Sequence, residues 1–155
     1  MKSFVNIKRE ALFEGRVKYD LNWNDNSIFD SEIVVVMLVH DNGKEVKRAV
    51  DSILTQKTDM KFAILIIDDC DGRWTPYVQT QLMDERIAVA EVESCSISQA
   101  RNVAHCIVKS KFDCAEWICR MDADDEMATP SAIHNTLVEI EKYGDSINWA
   151  LSGNF

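Results

Sequence analysis

The feature that most constrains the fold is an alternation between unbroken apolar runs and segments with helical periodicity. IVVVMLV (residues 33–39) and FAILIID (residues 62–68) show no polar alternation, as expected for parallel strands buried on both faces. Between them, EVKRAVDSILTQ places Val46, Val50 and Ile53 at helical spacing. Repeated β-α units of this kind predict a three-layer α/β/α fold with a mostly parallel sheet.

Further segments continue this pattern towards the C-terminus. RIAVAEV (residues 86–92) and AEWICRM (residues 115–121) predict a third and a fourth strand, and INWALSG (residues 147–153) is a candidate fifth. Several helix starts are marked by a capping residue, by proline in the first turn or by a capping box. These signals are Thr75 as N-cap before Pro76, Ser96 with Gln99, and Thr129 before Pro130 in a helix expected to end at Gly144.

The chain has the length of one domain, and its N-terminal part is patterned differently from the rest. A chain of 155 residues can bury about 68–70% of its unfolded surface, which is enough for a hydrophobic core. Residues 1–31 are weakly patterned and rich in Asn and Asp, which predicts a loose arm or an added hairpin. We therefore expect an N-terminal extension over residues 1–31 and one α/β domain over residues 32–155.

The composition argues against two classes of protein. A net charge of −9 makes nucleic acid a poor partner, because affinity for a phosphate backbone depends on clustered Lys and Arg. The N-terminus has no apolar signal region, and no window approaches about 18 uninterrupted apolar residues. Neither export nor a membrane span is expected.

The cysteines indicate a reducing compartment. There are five of them, an odd number without CxxC spacing, and none stands beside a histidine at a metal-ligand interval along the sequence. We interpret them as reduced, mostly buried thiols rather than as a structural zinc site or a disulfide framework. A cytoplasmic location is the corresponding expectation.

The stretch ICRMDADDEM concentrates negative charge directly after the predicted fourth strand. Asp122, Asp124, Asp125 and Glu126 follow one another closely there. Carboxylates at such short range repel one another, so the segment calls for a cation or for hydrogen-bond donors. A solvated turn before a helix is the alternative interpretation, because the helix dipole favours acidic residues at its N-terminus.

Polar residues also follow other predicted strands at the point where each ends. They are His40 and Asp41 after the first strand, Asp68 and Asp69 after the second, and Asp122 and Asp124 after the fourth. In open α/β sheets ligands bind outside the carboxyl ends of the strands. These side chains are therefore expected to converge on one edge of the sheet.

Four motifs together carry a resemblance to a known family. VHDNGKEVKRAVDSILTQ, ILIIDD, SISQARNVA and ICRMDADDEMATP have the order and spacing of the nucleotide-binding half of family 2 glycosyltransferases. The chain resembles that family over residues 33–155, although it departs from the family pattern at Leu38, at Asp41 and in the segment DDCDGRW. The resemblance implies a GT-A fold and inverting transfer of a sugar, of hexosyl type, from a UDP-sugar to a hydroxyl acceptor. That acceptor would be a carbohydrate, a lipid-linked molecule or a protein, as in polysaccharide biosynthesis.

The resemblance also assigns roles to residues of the predicted sheet edge. His40 and Asp41 would border the nucleobase, and Asp69 would accept the hydrogen bond of the uracil imide, since an ionised carboxylate is acceptor-only. Asp122 would hold the ribose hydroxyls. Asp124 would bind Mn²⁺ or Mg²⁺, hard ions that prefer oxygen ligands and bridge to substrate phosphates.

Other residues receive less definite assignments. Arg101 would face the acidic edge, either pairing with an aspartate or approaching the diphosphate. Asp68 and Trp74 are expected to be structural, and His40 as an ordinary turn residue is an open alternative. In the family the general base lies in the second half of the domain, so no catalytic base is assigned within this chain, which we expect to lack the acceptor half.

Two other functions remain open at this point. A non-catalytic nucleotide-binding or metal-binding module that kept the fold and lost sugar transfer would show the same motifs. A nucleotidyltransferase-like enzyme also places acidic pairs at strand ends, but it usually needs a glycine-rich, basic phosphate-binding loop, and the sequence has none.

Overall fold

The computed structural model describes residues 8–14, 17–42, 44–82, 84–93 and 95–143. Within them, six strands and four α-helices follow one another along the chain. The elements are β1 (Lys8–Glu14), β2 (Val17–Trp23), β3 (Ile33–Val39), α1 (Val46–Leu54), β4 (Phe62–Asp68), α2 (Thr75–Gln81), β5 (Ile87–Val92), α3 (Ile97–Lys111), β6 (Trp117–Arg120) and α4 (Ala132–Tyr143). The candidate strand at residues 147–153 and the helix end at Gly144 lie outside the described residues.

The strands form one sheet with the order β1-β2-β5-β4-β3-β6. β3 pairs in parallel with β4 and with β6, and β4 pairs in parallel with β5. β2 runs antiparallel to β5, and β1 runs antiparallel to β2, so this pair extends one edge of the sheet. The predicted mostly parallel α/β fold is confirmed.

Helices cover both faces of the sheet, and each face has its own hydrophobic core. Successive residues of a strand point to opposite faces, so a strand without polar alternation feeds both cores. In β3, Val34 packs on the side of α3, whereas Val35 packs on the side of α1, α2 and α4. The three-layer arrangement follows directly from the unbroken apolar runs.

The helix starts agree with the sequence signals in one case and differ in two. The capping box of α3 is confirmed: the Ser96 hydroxyl accepts from the Gln99 backbone N–H, and the Gln99 side chain accepts from the Ser96 N–H. The assignment of Thr75 as an N-cap is wrong, because Trp74 occupies that position and Thr75 is the first helical residue. α4 begins at Ala132, later than the Thr129 signal indicates.

Two further sequence expectations concern cysteines and membranes. None of the five cysteines, all of which lie in the described part of the chain, forms a disulfide. Over residues 8–14, 17–42, 44–82, 84–93 and 95–143, no helix is long and apolar enough to cross a membrane.

Candidate functional site

The predicted site residues lie at the carboxyl edge of the parallel strands. His40 follows β3, Asp69 follows β4, and Asp122 comes two residues after the end of β6. β3 lies between β4 and β6, so the three strand ends are neighbours. This is the edge at which open α/β sheets bind ligands.

His40 and Asp69 contact each other through their side chains, and Trp74 contacts the backbone of His40. His40 Nδ1 lies 2.7 Å from Asp69 Oδ1, and the Asp69 side chain is 4% exposed, against 56% for His40. The Trp74 indole N–H donates to the His40 carbonyl, which gives Trp74 a structural contact. The hydrogen bond to Asp69, and then the charge of Asp69, raise the pKa of His40 above its ordinary value.

Asp68, the last residue of β4, holds the start of α2 rather than a ligand. Its carboxylate is fully buried and accepts hydrogen bonds from the backbone N–H groups of Cys70, Trp74 and Thr75 at 3.2, 2.7 and 2.7 Å. It also accepts from the Thr75 hydroxyl at 3.0 Å. The carboxylate of Asp68 therefore takes the place of a capping side chain at Trp74, which explains why Thr75 lies inside the helix.

Asp41 and Arg101 occupy more exposed positions. Asp41 Oδ2 lies 3.7 Å from His40 Nε2, and Asp41 Oδ1 lies 4.0 Å from Arg73 Nη1. Arg101 lies in α3 and is exposed, and no ion pair joins it to another described residue. The structure brings His40, Asp41 and Asp69 together, and Arg101 is not bonded to this group.

Residues 122–126, which we call the acidic turn, bring their aspartates together. Ligand oxygens of Asp122, Asp124 and Asp125 all lie within 4.8 Å of one another, and the three residues are exposed. The Asp125 backbone N–H donates to the Asp122 carbonyl at 3.1 Å, and Ala123 between them is fully buried. The buried alanine anchors a turn that presents carboxylates outwards.

Helix α1 holds the acidic turn and the residue after it through side chains that are not among the predicted site residues. Arg48 Nη2 donates to the Asp124 carbonyl at 2.8 Å, and Arg48 Nε lies 3.7 Å from Glu126 Oε2. The Ser52 hydroxyl accepts from the Met127 N–H at 2.9 Å. Arg48 thus supplies part of the neutralisation that the acidic turn requires.

Gln56 holds the residues that connect the acidic turn to α4. Its side-chain amide donates to the Thr129 carbonyl at 2.8 Å and accepts from the Ile133 N–H at 3.1 Å. The Lys57 N–H also donates to the Pro130 carbonyl at 2.8 Å, so residues 129–130 are drawn towards α1 and α4 begins after them. Arg48 and Ser52 in α1, and Gln56 just after its C-terminal end, are spaced four apart, and this polar spacing was the signal available in the sequence.

The chemistry of the acidic turn fits a hard divalent cation. Its three aspartates offer only oxygen ligands, which Mg²⁺ and Mn²⁺ prefer, and such ions commonly use one or two carboxylates together with substrate phosphates. Their exposure leaves room for a ligand to complete the coordination. The acidic turn can therefore hold a cation that also contacts a bound phosphate.

A three-layer α/β domain with polar side chains at the carboxyl ends of its parallel strands belongs to the open-sheet α/β class, in which ligands bind at that edge. The chain matches the model of Glycosyl transferase family 2 over residues 34–152, and it belongs to that family. Among solved structures it is similar to S. aureus TarS, with a TM-score of 0.54 and 17% identity. A comparison with curated proteins finds no match.

The likeness to TarS shows the fold, which is the GT-A fold of glycosyltransferases. It covers 72% of this chain and 20% of the TarS chain. The chain therefore spans about a fifth of the length of that protein. The resemblance stated from the four sequence motifs is confirmed at the level of family and fold.

Proposed function

We propose that this domain binds a UDP-sugar in a Mn²⁺-dependent or Mg²⁺-dependent manner and serves inverting transfer of the sugar to a hydroxyl acceptor. The observation that carries the proposal is the clustering of the Asp122, Asp124 and Asp125 carboxylates beside the end of β3, where His40 contacts Asp69. Membership of the glycosyltransferase family indicates the reaction class. The side chains at the sheet edge suit the nucleobase, the ribose and the diphosphate of the donor.

The nucleoside would lie between the His40–Asp69 pair and the acidic turn. Asp69 is nearly buried and fixed by His40, so it presents a carboxylate acceptor in a defined place for the uracil imide. His40 and Asp41 border the base in this arrangement, and Asp122 accepts from the ribose hydroxyls. Because Asp69 is nearly buried, a bound base without an N–H at the imide position would leave a buried carboxylate oxygen without a donor. That costs free energy, so the site should prefer uracil to bases that lack this N–H.

The diphosphate would lie over the acidic turn. Asp124 holds the cation, and a bound cation acts as a Lewis acid that stabilises negative charge on the leaving diphosphate. Arg48 fixes the backbone at Asp124 through its carbonyl, and the exposed Arg101 is assigned to the diphosphate. Residues 32–155 form the donor-binding domain in this proposal, residues 1–31 an extension of it, and the acceptor and general base are assigned to no residue of this chain.

Calorimetry of UDP binding tests the proposal. We expect UDP to bind more tightly with Mn²⁺ than with EDTA, and CDP to bind more weakly than UDP because the cytosine ring nitrogen at the imide position is an acceptor. Equal UDP affinity in Mn²⁺ and in EDTA would remove the metal-bridging role. Equal affinity for UDP and CDP would remove the role of Asp69.

A further inference from the structure

Outside the acidic turn, the described residues contain a second group of side chains that can share a cation. A ring nitrogen of His40, a carboxylate oxygen of Asp41 and the sulfur of Cys70 all lie within 4.8 Å of one another. His40 and Asp41 follow β3, whereas Cys70 follows β4. Because the ligands come from two strand ends, no interval along the sequence reveals this group.

Asp69 orients the histidine of this group. It holds His40 Nδ1 at 2.7 Å from its nearly buried carboxylate, which leaves Nε2 as the ring nitrogen that can face a ligand. Nε2 lies 3.7 Å from Asp41 Oδ2. A carboxylate on the second nitrogen is the usual way in which proteins fix the tautomer and direction of a metal-binding histidine.

We propose that His40, Asp41 and Cys70 form a zinc-binding site. The set combines imidazole nitrogen, thiolate sulfur and carboxylate oxygen, the three ligand types that Zn²⁺ accepts, whereas the all-oxygen acidic turn suits Mg²⁺ or Mn²⁺. Zinc binding converts the Cys70 thiol to a thiolate, and the released proton passes to the buffer. Three protein ligands leave the fourth tetrahedral position to water.

Small side-chain movements would complete the coordination. Ligand atoms around a tetrahedral zinc lie about 3.4 Å apart, given bond lengths of about 2.0–2.3 Å. The 3.7 Å between His40 Nε2 and Asp41 Oδ2 is already close to this, and the Asp41 side chain is 80% exposed and free to turn. Arg73 lies 4.0 Å from Asp41, but ion pairs between exposed side chains contribute little.

The zinc site overlaps the place assigned to the nucleobase, because His40 and Asp41 would serve both. Bound zinc should therefore exclude the base, and this consequence rests on the proposed function. Cys70 belongs to the zinc site alone, so its replacement separates the two activities.

Titration of the protein with Zn²⁺ alone tests the site by calorimetry. The experiment uses an Asp124→Asn background, which removes a ligand of the acidic turn as a competing zinc site. Cys70→Ser should abolish the zinc-binding event, and Asp69→Asn should weaken it about 10–100-fold, as is typical when the carboxylate behind a ligating histidine is replaced. Cys114→Ser, which changes an exposed thiol beyond the C-terminal end of α3, should leave it unchanged. Zinc binding that is undiminished in Cys70→Ser would overturn the site.

Uridine tests the overlap, since it lacks phosphates that would chelate zinc. We expect Zn²⁺ to weaken uridine binding to the wild-type chain, followed by NMR, and to leave binding to Cys70→Ser unchanged. Cys70-dependent zinc binding without any effect on uridine would keep the zinc site and overturn the overlap. Failure of uridine to bind without zinc would count against the nucleobase assignment, while the zinc titration would still decide the site.

Discussion

Asp124 is the residue on which cation binding by the acidic turn most directly depends. Asp124→Asn should weaken Mn²⁺-dependent UDP binding and leave the fold intact. Removal of one carboxylate also relieves repulsion with Asp122 and Asp125, whose ligand oxygens lie within 4.8 Å. The free energy of unfolding of the metal-free variant should therefore equal or slightly exceed that of the wild type, by about 0.5 kcal/mol at most.

Calorimetry with Mn²⁺ and thermal melting in EDTA measure these two effects separately. Asp113→Asn is the matched control, because Asp113 is an exposed carboxylate that follows the C-terminal end of α3. It should change neither UDP affinity nor melting by a comparable amount. A large drop in the melting temperature of metal-free Asp124→Asn would show that Asp124 caps the turn structurally.

His40 should titrate above 6.5, the ordinary histidine pKa, because Asp69 bonds to its ring and stabilises its charged form. Since the folded-state pKa is raised, the stabilisation is fully present below pH 6.5 and is lost as the pH rises through the folded-state pKa. His40→Asn should therefore cost more stability in mildly acidic than in alkaline buffer.

An NMR titration of the His40 ring, compared between the wild type and Asp69→Asn, measures the shift directly. The midpoint should move down towards 6.5 in Asp69→Asn, because the negative charge is removed and the amide oxygen that remains can form only a weaker, uncharged hydrogen bond with the ring. An unchanged midpoint in that variant would mean that another group controls the proton on His40.

At the scale of elements, α1 packs against the core on one side and helps to position the acidic turn on the other. Its apolar side, which includes Val50 and Ile53, packs in the core, while Arg48 on its polar side and Gln56 just after its end hold the segment that follows β6. The position of the acidic turn is therefore set by contacts with a part of the chain that precedes it by many residues. The contributions of Arg48 and Gln56 to this attachment can be tested by separate substitutions.

Arg48→Met should weaken Mn²⁺-dependent UDP binding about fivefold, which corresponds to the loss of about 1 kcal/mol for one hydrogen bond. The physical reason is the loss of the 2.8 Å bond to the Asp124 carbonyl, which fixes the backbone of the cation ligand. Lys47→Met removes the same charge from the neighbouring position, where the side chain pairs with Asp51, and should have a smaller effect. Equal losses in both variants would indicate a general charge effect rather than positioning.

Gln56→Met should destabilise the domain by about 1–3 kcal/mol, because it leaves the Thr129 carbonyl and the Ile133 N–H without their partner. Chemical denaturation measures the change. Gln81→Met, at the exposed end of α2, is the control and should have little effect. A Gln56 variant as stable as the wild type would show that water replaces the side chain at both groups.

At the scale of the whole molecule, the bound nucleotide should stabilise the domain by linkage. UDP with Mn²⁺ at 100 times its Kd adds about 2.7 kcal/mol. For a domain of this size, each kcal/mol raises Tm by about 2–4 °C, so a rise of about 5–10 °C is expected. Differential scanning calorimetry should show this rise with UDP and Mn²⁺ together and a smaller one with either alone. An equal rise with UDP in EDTA would contradict the proposed role of the cation.

The sequence by itself determined the elements whose causes are local. The apolar runs of β3 and β4 specify strands buried on both faces, and the capping box of Ser96 and Gln99 starts α3. The order of these elements also placed His40, Asp69 and Asp122 at one edge of the sheet and supported the family assignment. These features depend on neighbours a few residues apart or on the general rule for parallel strands, so a linear pattern is enough to predict them.

Only the tertiary structure decided which distant side chains meet. His40 and Asp69 are 29 positions apart, Arg48 and the Asp124 carbonyl 76, and Gln56 and the Ile133 N–H 77. Each contact requires strand order, register and helix rotation to be settled together, and none of these is encoded by a short window of sequence. The same reason explains why Thr75 proved to be a helical residue beneath the carboxylate of Asp68, and why Cys70 lies beside His40.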